Sequence, residues 1–298
     1  MSTEMLGVEV ARAMKERIVE DVALLKAAGV VPCLAIIRVG ARPDDLAYER
    51  GAKKRMELVG VEYRVIELPE EIGQAEFEEA FCMVNEDPSV HGILLFQPLP
   101  DGLDGEPVRR MICPEKDVDC MSPVNVAKLF AGDASGFAPC TAEAVMEMLA
   151  HYGIEPEGKR AVIVGRSMVV GKPLSMLLLG KNATVTVCHT RTAELEKICR
   201  EADILAACVG KARMITADMV GEGAVVADVG ITVDAEGNLC GDVDYEAVCG
   251  KASYISPVPR GVGSVTTSVL AAHVVRAAKK GTCSGEKGRS PAKGDVSQ

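Results

Sequence analysis

Residues 161–173, AVIVGRSMVVGKP, restrict the fold more than any other stretch of this chain. Ala161, Val162, Ile163 and Val164 form a short apolar run suited to a buried strand, and Gly165 ends it. Gly171 and Pro173 then open a segment with Leu174, Leu177 and Leu178 at helical spacing. Strand, glycine turn and helix N-terminus together offer a seat for a phosphate. The first helical N–H groups lack internal partners, and the helix dipole places partial positive charge there. A glycine in the turn lets a pyrophosphate approach the main chain with no Cβ in the way. The dinucleotide signature is G-x-G-x-x-G. Here the run from Gly165 to Gly171 is one residue longer, with Ser167 in the middle glycine's place. Alone, it reads equally as a nucleotide site or as an ordinary strand-to-helix turn.

The flanking pattern is an alternation of apolar runs and amphipathic segments. Val8, Ala11, Met14, Ile18, Val22 and Leu25 recur at helical spacing up to Gly29. A buried strand follows over 33–39, then a helix over 46–59 with Asp44 or Asp45 expected as its cap. Residues 61–68 alternate as a strand, 74–86 form an amphipathic helix, and 90–96 are another buried strand. Lys116-Asp117-Val118-Asp119 is expected as a charged turn. After a break near 139 a second alternation runs as helix 141–152, strand 161–164, helix 172–180, strand 184–188, helix 192–200, strand 203–208, a short helix near 215, and strand 224–229. Residues 264–280 predict a last helix with Val265, Val269, Leu270, His273, Val274 and Ala277 on its apolar side, and the tail from 281 is expected to be disordered. Strands alternating with helices imply parallel sheets with right-handed crossovers. The fold class is therefore α/β, in two consecutive units.

Composition agrees. The chain has 298 residues, enough for two domains, and only 3% of them are aromatic, so the core must rest on aliphatic side chains. A net charge of −10 weighs against nucleic acid as a partner. No apolar run approaches a membrane span, and the start MSTEMLGVEV lacks a basic region followed by an apolar one, so a soluble cytoplasmic protein without a membrane partner is expected. None of the eleven cysteines stands in a C-x-x-C pair. Cys33, Cys82, Cys188 and Cys208 lie in apolar runs, as buried thiols of a reducing compartment would. The four histidines show no metal-ligand spacing, and no metal is expected.

In a dinucleotide domain the second strand ends beside the adenosine ribose, where a carboxylate would select NAD. Strand 184–188 instead runs into His189-Thr190-Arg191-Thr192. Arg166 and Thr190 are suited to a 2′-phosphate, which favours NADP over NAD, although Arg166 reads equally as a solvated side chain. Val209-Gly210 and Gly230-Ile231 lie just past two later strands, where ligands of open α/β sheets bind and where plain turns also need glycine.

Several separated motifs occur in a fixed order: Lys116-Asp117-Val118-Asp119, Pro139-Cys140-Thr141, Gly165-Arg166-Ser167 through Val170-Gly171-Lys172-Pro173, His189-Thr190-Arg191-Thr192, Asp228-Val229-Gly230, Gly241-Asp242-Val243, and Pro257-Val258-Pro259 through Gly261-Val262-Gly263. Together they resemble the methylenetetrahydrofolate dehydrogenase/methenyltetrahydrofolate cyclohydrolase family over about residues 5–280. The resemblance implies a folate domain (1–138 with 266–280) and a Rossmann-type cofactor domain (139–265), the final helix returning to the first. It further implies a homodimer and an NADP-dependent oxidation of 5,10-methylene-tetrahydrofolate. Hydrolysis to 10-formyl-tetrahydrofolate follows, within the one-carbon metabolism that feeds purine biosynthesis. Tyr48 and Asp119 are the implied catalytic residues, and both would bind the pterin with Phe96, Gln97, Pro98, Pro259, Gly261 and Gly263. Gly165, Arg166, Ser167, Val170, Gly171, His189, Thr190, Arg191, Val209, Gly210, Gly230 and Ile231 would hold the cofactor. Plainer roles exist for Tyr48 as a half-buried helix tyrosine and for Asp119 as a turn-capping carboxylate.

Two departures bear on chemistry. The family's Tyr-x-x-x-Lys is Tyr48-Glu49-Arg50-Gly51-Ala52, and its V-Q-L-P is Leu95-Phe96-Gln97-Pro98. Ala52 therefore stands at the lysine position and Phe96 at the glutamine position. Lys53 and Lys54 are turned by about 100° per residue from it. Hydride loss from the methylene carbon needs positioning, whereas hydrolysis needs a general acid/base, so the second activity is the one threatened. Arg260 is new relative to the family, its charge available to a folate glutamate tail or to cofactor phosphates. Other readings are a non-catalytic folate- or nucleotide-binding regulator and an NAD(P)-dependent dehydrogenase of another small substrate.

Overall fold

The computed structural model describes residues 2–234 and 236–286. Strand β1 (Thr3–Glu4) leads into helix α1 (Gly7–Ala27), followed by β2 (Cys33–Val39), α2 (Pro43–Val59), β3 (Glu62–Leu68), α3 (Gln74–Glu86) and β4 (Gly92–Leu95). Strands β2, β3 and β4 form a parallel sheet of order β3-β2-β4. Every residue of β2 is buried, as befits a central strand covered on both faces. Two short helices, α4 (Glu106–Met111) and α5 (Pro123–Phe130), precede the second unit.

That unit contains α6 (Cys140–His151), β5 (Arg160–Val164), α7 (Gly171–Leu179), β6 (Thr184–Cys188), α8 (Leu195–Arg200), β7 (Ile204–Ala207) and β8 (Val225–Asp228). A hairpin of β9 (Thr232–Val233) and β10 (Leu239–Cys240) follows, then α9 (Tyr245–Val248), β11 (Tyr254–Ile255) and α10 (Thr266–Glu286). The main sheet is parallel, in the order β1-β11-β8-β7-β5-β6. Chain order reverses between β5, which pairs β6 on one side, and β7 on its other side. This is the switch point at which open α/β sheets form a ligand crevice.

Helix α10 leaves the second unit and packs against α1, α2 and α6. Val265, Val269, Leu270, His273, Val274 and Ala277 are all buried, as the apolar stripe predicts. On α1 the expectation fails at one position: Val8 is exposed and Val10, two residues on and so on the opposite face of the helix, is buried instead.

Three local expectations are corrected. Neither Asp44 nor Asp45 caps α2; the helix starts at Pro43, whose fixed φ suits a first turn, and Asp45 pairs with Arg42 at 2.8 Å. Residues 192–194 are not helical, because the Thr192 hydroxyl accepts from the His189 N–H and closes a turn that delays α8. Lys116–Asp119 forms the expected charged turn, pinned to the sheet where Asp117 bridges Ile93 of β4 and Gly92 leaves room for Val118. Residues 281–286 continue α10, and the rest of the expected disordered tail lies outside the described residues. Cys33 and Cys188 are buried thiols, whereas Cys82 and Cys208 are only partly covered. Among the described residues no helix is long and apolar enough to cross a membrane, and no cluster is arranged to hold a metal ion.

Candidate functional site

The crevice at the switch point is built by close backbone approach. Gly165 has φ +134°, and a Cβ there would lie 2.4 Å from the Cys208 carbonyl oxygen. A Cβ on Gly171 would lie 2.2 Å from the Gly165 carbonyl oxygen, so both ends of the loop require glycine. Ser167 Oγ accepts from the Val170 N–H at 3.1 Å and shapes the turn. Arg166 and Ser167 are exposed and Val170 partly so, at the mouth of α7. Across from them His189 Nδ1 accepts from the Arg191 N–H at 3.1 Å, leaving the Thr190 and Arg191 side chains in solvent.

Two buried carboxylates hold the far wall. Asp242 accepts from the N–H groups of Val209 (2.6 Å), Gly210 (3.1 Å) and Lys211 (2.7 Å). Those amides are therefore engaged within the protein. Asp228 accepts from Gly230, Asp242 and Val243, at 3.1, 3.0 and 2.9 Å. Burial pushes the Asp228 carboxyl up to about 7, with the neighbouring Asp242 adding to it and the backbone donors opposing. A carboxyl raised on folding lends stability that is complete below its unfolded value near 4 and lost as pH climbs through the folded one. The melting temperature should accordingly fall between about pH 4 and about pH 7. Asp228→Asn, which removes the titration at a cost of about 1–3 kcal/mol, should flatten that slope; equal slopes in the two proteins would count against the assignment.

On the other side of the cleft, Tyr48 projects from α2 and its ring meets Phe96 edge-on, centroids 5.8 Å apart at 86°. Burial, with Cys140 and Asp119 nearby, drives the phenol well above its ordinary value against a hydrogen bond with Thr266. Thr266 in turn donates from Oγ1 to the Gly263 carbonyl at 3.1 Å. Asp119 is half-buried and accepts from the Cys140 N–H at 2.8 Å. Its carboxyl is raised by burial, which the Cys140 bonds and His273 partly offset. Gly230, Ile231, Pro259, Gly261 and Gly263 line one cavity of about 220 Å³. Residues expected to touch cofactor and residues expected to touch substrate thus meet at one place.

Residues 5–119 match the tetrahydrofolate dehydrogenase/cyclohydrolase catalytic domain, and residues 139–282 match that family's NAD(P)-binding domain. This chain belongs to the tetrahydrofolate dehydrogenase/cyclohydrolase family. It is 54% identical over 279 residues to the bifunctional protein FolD of Alkaliphilus oremlandii, covering 94% of this chain and 98% of that one. The FolD of Clostridioides difficile is 54% identical over 92% of this chain and 95% of its own. Among solved structures, FolD from Campylobacter jejuni superposes with a TM-score of 0.92 at 41% identity, covering 94% and 99% of the two chains. The Trypanosoma brucei FolD, solved with NADP cofactor and an inhibitor, gives 0.89 at 36% identity, covering 94% and 98%.

Within this family frame the two substitutions have clear surroundings. Ala52 is completely buried, one helical turn beyond Tyr48. Lys53 is directed to Glu49 (3.5 Å) and over the Tyr63 ring, and Lys54 is exposed. Phe96 packs in the same core as Leu94, whereas Gln97 and Pro98 are exposed. The Gln97 side-chain amide lies beside Gly105, and the Gln97 main-chain carbonyl accepts from Arg42 at 3.1 Å. Arg260, at φ 82°, pairs with Glu4 at 3.3 Å on the rim of the cavity that Pro259 and Gly261 line. Sequence reasoning missed Asp117, which holds Met121 and Ser122 N–H groups and Asn125 beneath Asp119. It also missed the partners of Cys140 and His273. Only the presence of a histidine on an apolar helix face signalled the latter.

Proposed function

We propose that this chain oxidises 5,10-methylene-tetrahydrofolate to the methenyl compound with NADP as acceptor, and that its ability to hydrolyse the methenyl product is impaired. The observation that carries the reading is the convergence just described: Tyr48 and Asp119 share one space, and through Thr266 and Gly263 that space adjoins Gly230 and Ile231. The crevice suits a dinucleotide because its two glycines let the loop pack against Cys208 and fold back on itself at the switch point, which places the mouth of α7 where phosphates bind. Gly165, Ser167, Val170 and Gly171 would seat the phosphates, and Arg166 with Thr190 the 2′-phosphate, as no carboxylate follows β6. His189 and Arg191 shape the ribose end, and Val209, Gly210, Gly230 and Ile231 border the nicotinamide. The bound dinucleotide supplies the hydride acceptor.

Asp119 accepts hydrogen bonds from the 2-amino-4-oxo edge of the pterin, and Tyr48 with Phe96 packs its face. Pro259, Gly261 and Gly263 close the cleft from the second unit. Loss of hydride leaves a cation shared by two nitrogens, so this step asks the protein for positioning and for no base. Hydrolysis asks for a proton donor and acceptor where this chain has Ala52 and Phe96. Folate binding is assigned to 1–138 with 266–280 and cofactor binding to 139–265, and the chain works as a cytoplasmic homodimer, in line with the family resemblance.

Purified protein mixed with methylene-tetrahydrofolate and NADP should produce reduced nicotinamide, and NAD should serve less well. Asp119→Ala should lower kcat/KM for the folate by about 10–100-fold, the loss of a charge-assisted contact, with little change in the KM for NADP. A protein that reduces NADP with a hydroxy or amino acid but not with the folate would overturn the proposal in favour of another dehydrogenase. Folate binding with no reduction of either cofactor would favour a regulator.

A further inference from the structure

We propose that His273 is a positioning residue of the folate site: held as an imidazolium between the Val118 carbonyl and the Glu143 carboxylate, it keeps Asp119 in place and charged for the pterin. The inference rests on the folate reading of Asp119. His273 lies on α10 and is 2% exposed. Its Nδ1 is 2.8 Å from the Val118 carbonyl oxygen, and its Nε2 is 3.0 Å from Glu143 Oε2 on α6. A carbonyl only accepts, and so does an ionised carboxylate, whereas a neutral imidazole has a single N–H. Both contacts are made together only if the pair holds one proton more than neutral histidine and carboxylate. The Glu143 carboxyl lies below its ordinary range, since attraction to His273 and Arg276 outweighs the burial that would raise it, and an ionised Glu143 leaves both contacts to be donated by the ring.

The consequence reaches the cleft by a short path. Val118 precedes Asp119 in the chain, and the Asp119 carboxylate is tied to the Cys140 N–H at the start of α6. Cys140 Sγ lies 3.8 Å from His273 Nδ1, so the ring touches both segments that hold Asp119. Phe137 flanks the ring, centroids 5.1 Å apart, and prevents it from swinging away. The charged groups facing the ring are Glu143 from α6, Asp117 and Asp119 from the segment beside β4, and Arg276 by way of Glu143 on α10 itself. Attraction to the imidazolium lowers the Asp119 carboxyl against the burial that raises it. A neutral group at 273 removes that attraction and also a donor to either Val118 or Glu143.

Two measurements on the full-length protein test this. In protein labelled with 15N-histidine, the signals lost in His273→Asn identify the ring, and both its nitrogens should show protonated shifts at pH 7 without any substrate. An unprotonated nitrogen at that pH overturns the inference. In the dehydrogenase assay, His273→Asn should raise the KM for methylene-tetrahydrofolate by roughly tenfold, one unit of lost charge stabilisation. The rise should be largest toward low pH, where the variant's Asp119 carboxyl takes up a proton before the parent's does, and should shrink toward high pH, with kcat and the KM for NADP held. Glu143→Gln, at a side chain 29% exposed and so expected to fold normally, should give the same direction of effect. Variants that melt earlier yet keep the parent folate KM and its pH profile would reduce His273 to a packing residue and overturn the inference alone. A parent protein that neither binds nor turns over the folate overturns the folate reading itself, and with it the role of His273.

Discussion

Ala52→Lys combined with Phe96→Gln should raise methenyl hydrolysis by about 10²–10⁴-fold, the usual contribution of a placed acid/base group. The parent protein should release methenyl-tetrahydrofolate that decays at the rate of the buffer. Neither substitution is expected to do this alone. Ala52 is fully buried, and Phe96 lies edge-on to the Tyr48 ring, so the space a lysine at 52 would need is filled with aromatic carbon. Ala52→Lys by itself overpacks the core at a cost of about 1–3 kcal/mol, and an ammonium lacking an acceptor there adds to it. Replacing Phe96 by glutamine frees volume and brings an amide that can accept from the new lysine. Methenyl absorbance followed in one cuvette after hydride transfer reads the outcome. A parent protein that already clears the methenyl compound far faster than buffer would show that another group carries the hydrolysis. Full gain from Ala52→Lys alone would show that the Phe96 ring is no obstacle.

The largest loss of stability is expected from Glu49→Gln, about 3 kcal/mol, at the low end for breaking a buried ion pair. Glu49 and Arg38 are each less than a tenth exposed and meet at 2.9 Å beneath the helix that carries Tyr48. Arg38 also reaches Glu67 at 2.8 Å and the Gly40 carbonyl, which is why the cost stays near the lower bound. Removing one partner leaves a desolvated guanidinium with too few acceptors. Removing both, as Arg38→Met with Glu49→Leu, should cost markedly less, because apolar side chains of similar volume need no partner. Chemical denaturation of the parent, Arg38→Met, Glu49→Leu and the double variant gives the coupling directly. A single and a double variant of equal stability would mean that the pair is solvated in practice. Because Tyr48 adjoins Glu49 on α2, the single variant should also loosen the Tyr48–Phe96 contact and raise the folate KM.

The sequence by itself determined the alternation of strands and helices, the glycine turn into α7, the buried stripe of α10 and the family's separated motifs. All of these are written in neighbours two to four residues apart, the range over which strand and helix periodicity operates. The proposed departures at Ala52 and Phe96 are likewise read from identities beside nearby motif residues. Tertiary structure alone decided the rest. β1 is two residues long, too short to carry a period, and exists only because β11 offers it an edge. Lys53 turns to Glu49 and Tyr63, and Arg260 turns to Glu4, because a long cationic side chain settles on whichever acceptor the fold brings within reach. The Asp228 and Asp242 carboxylates receive amides from loops that only the assembled sheet brings together. His273 and Glu143 are 130 residues apart, and nothing local in either helix announces that they share a proton.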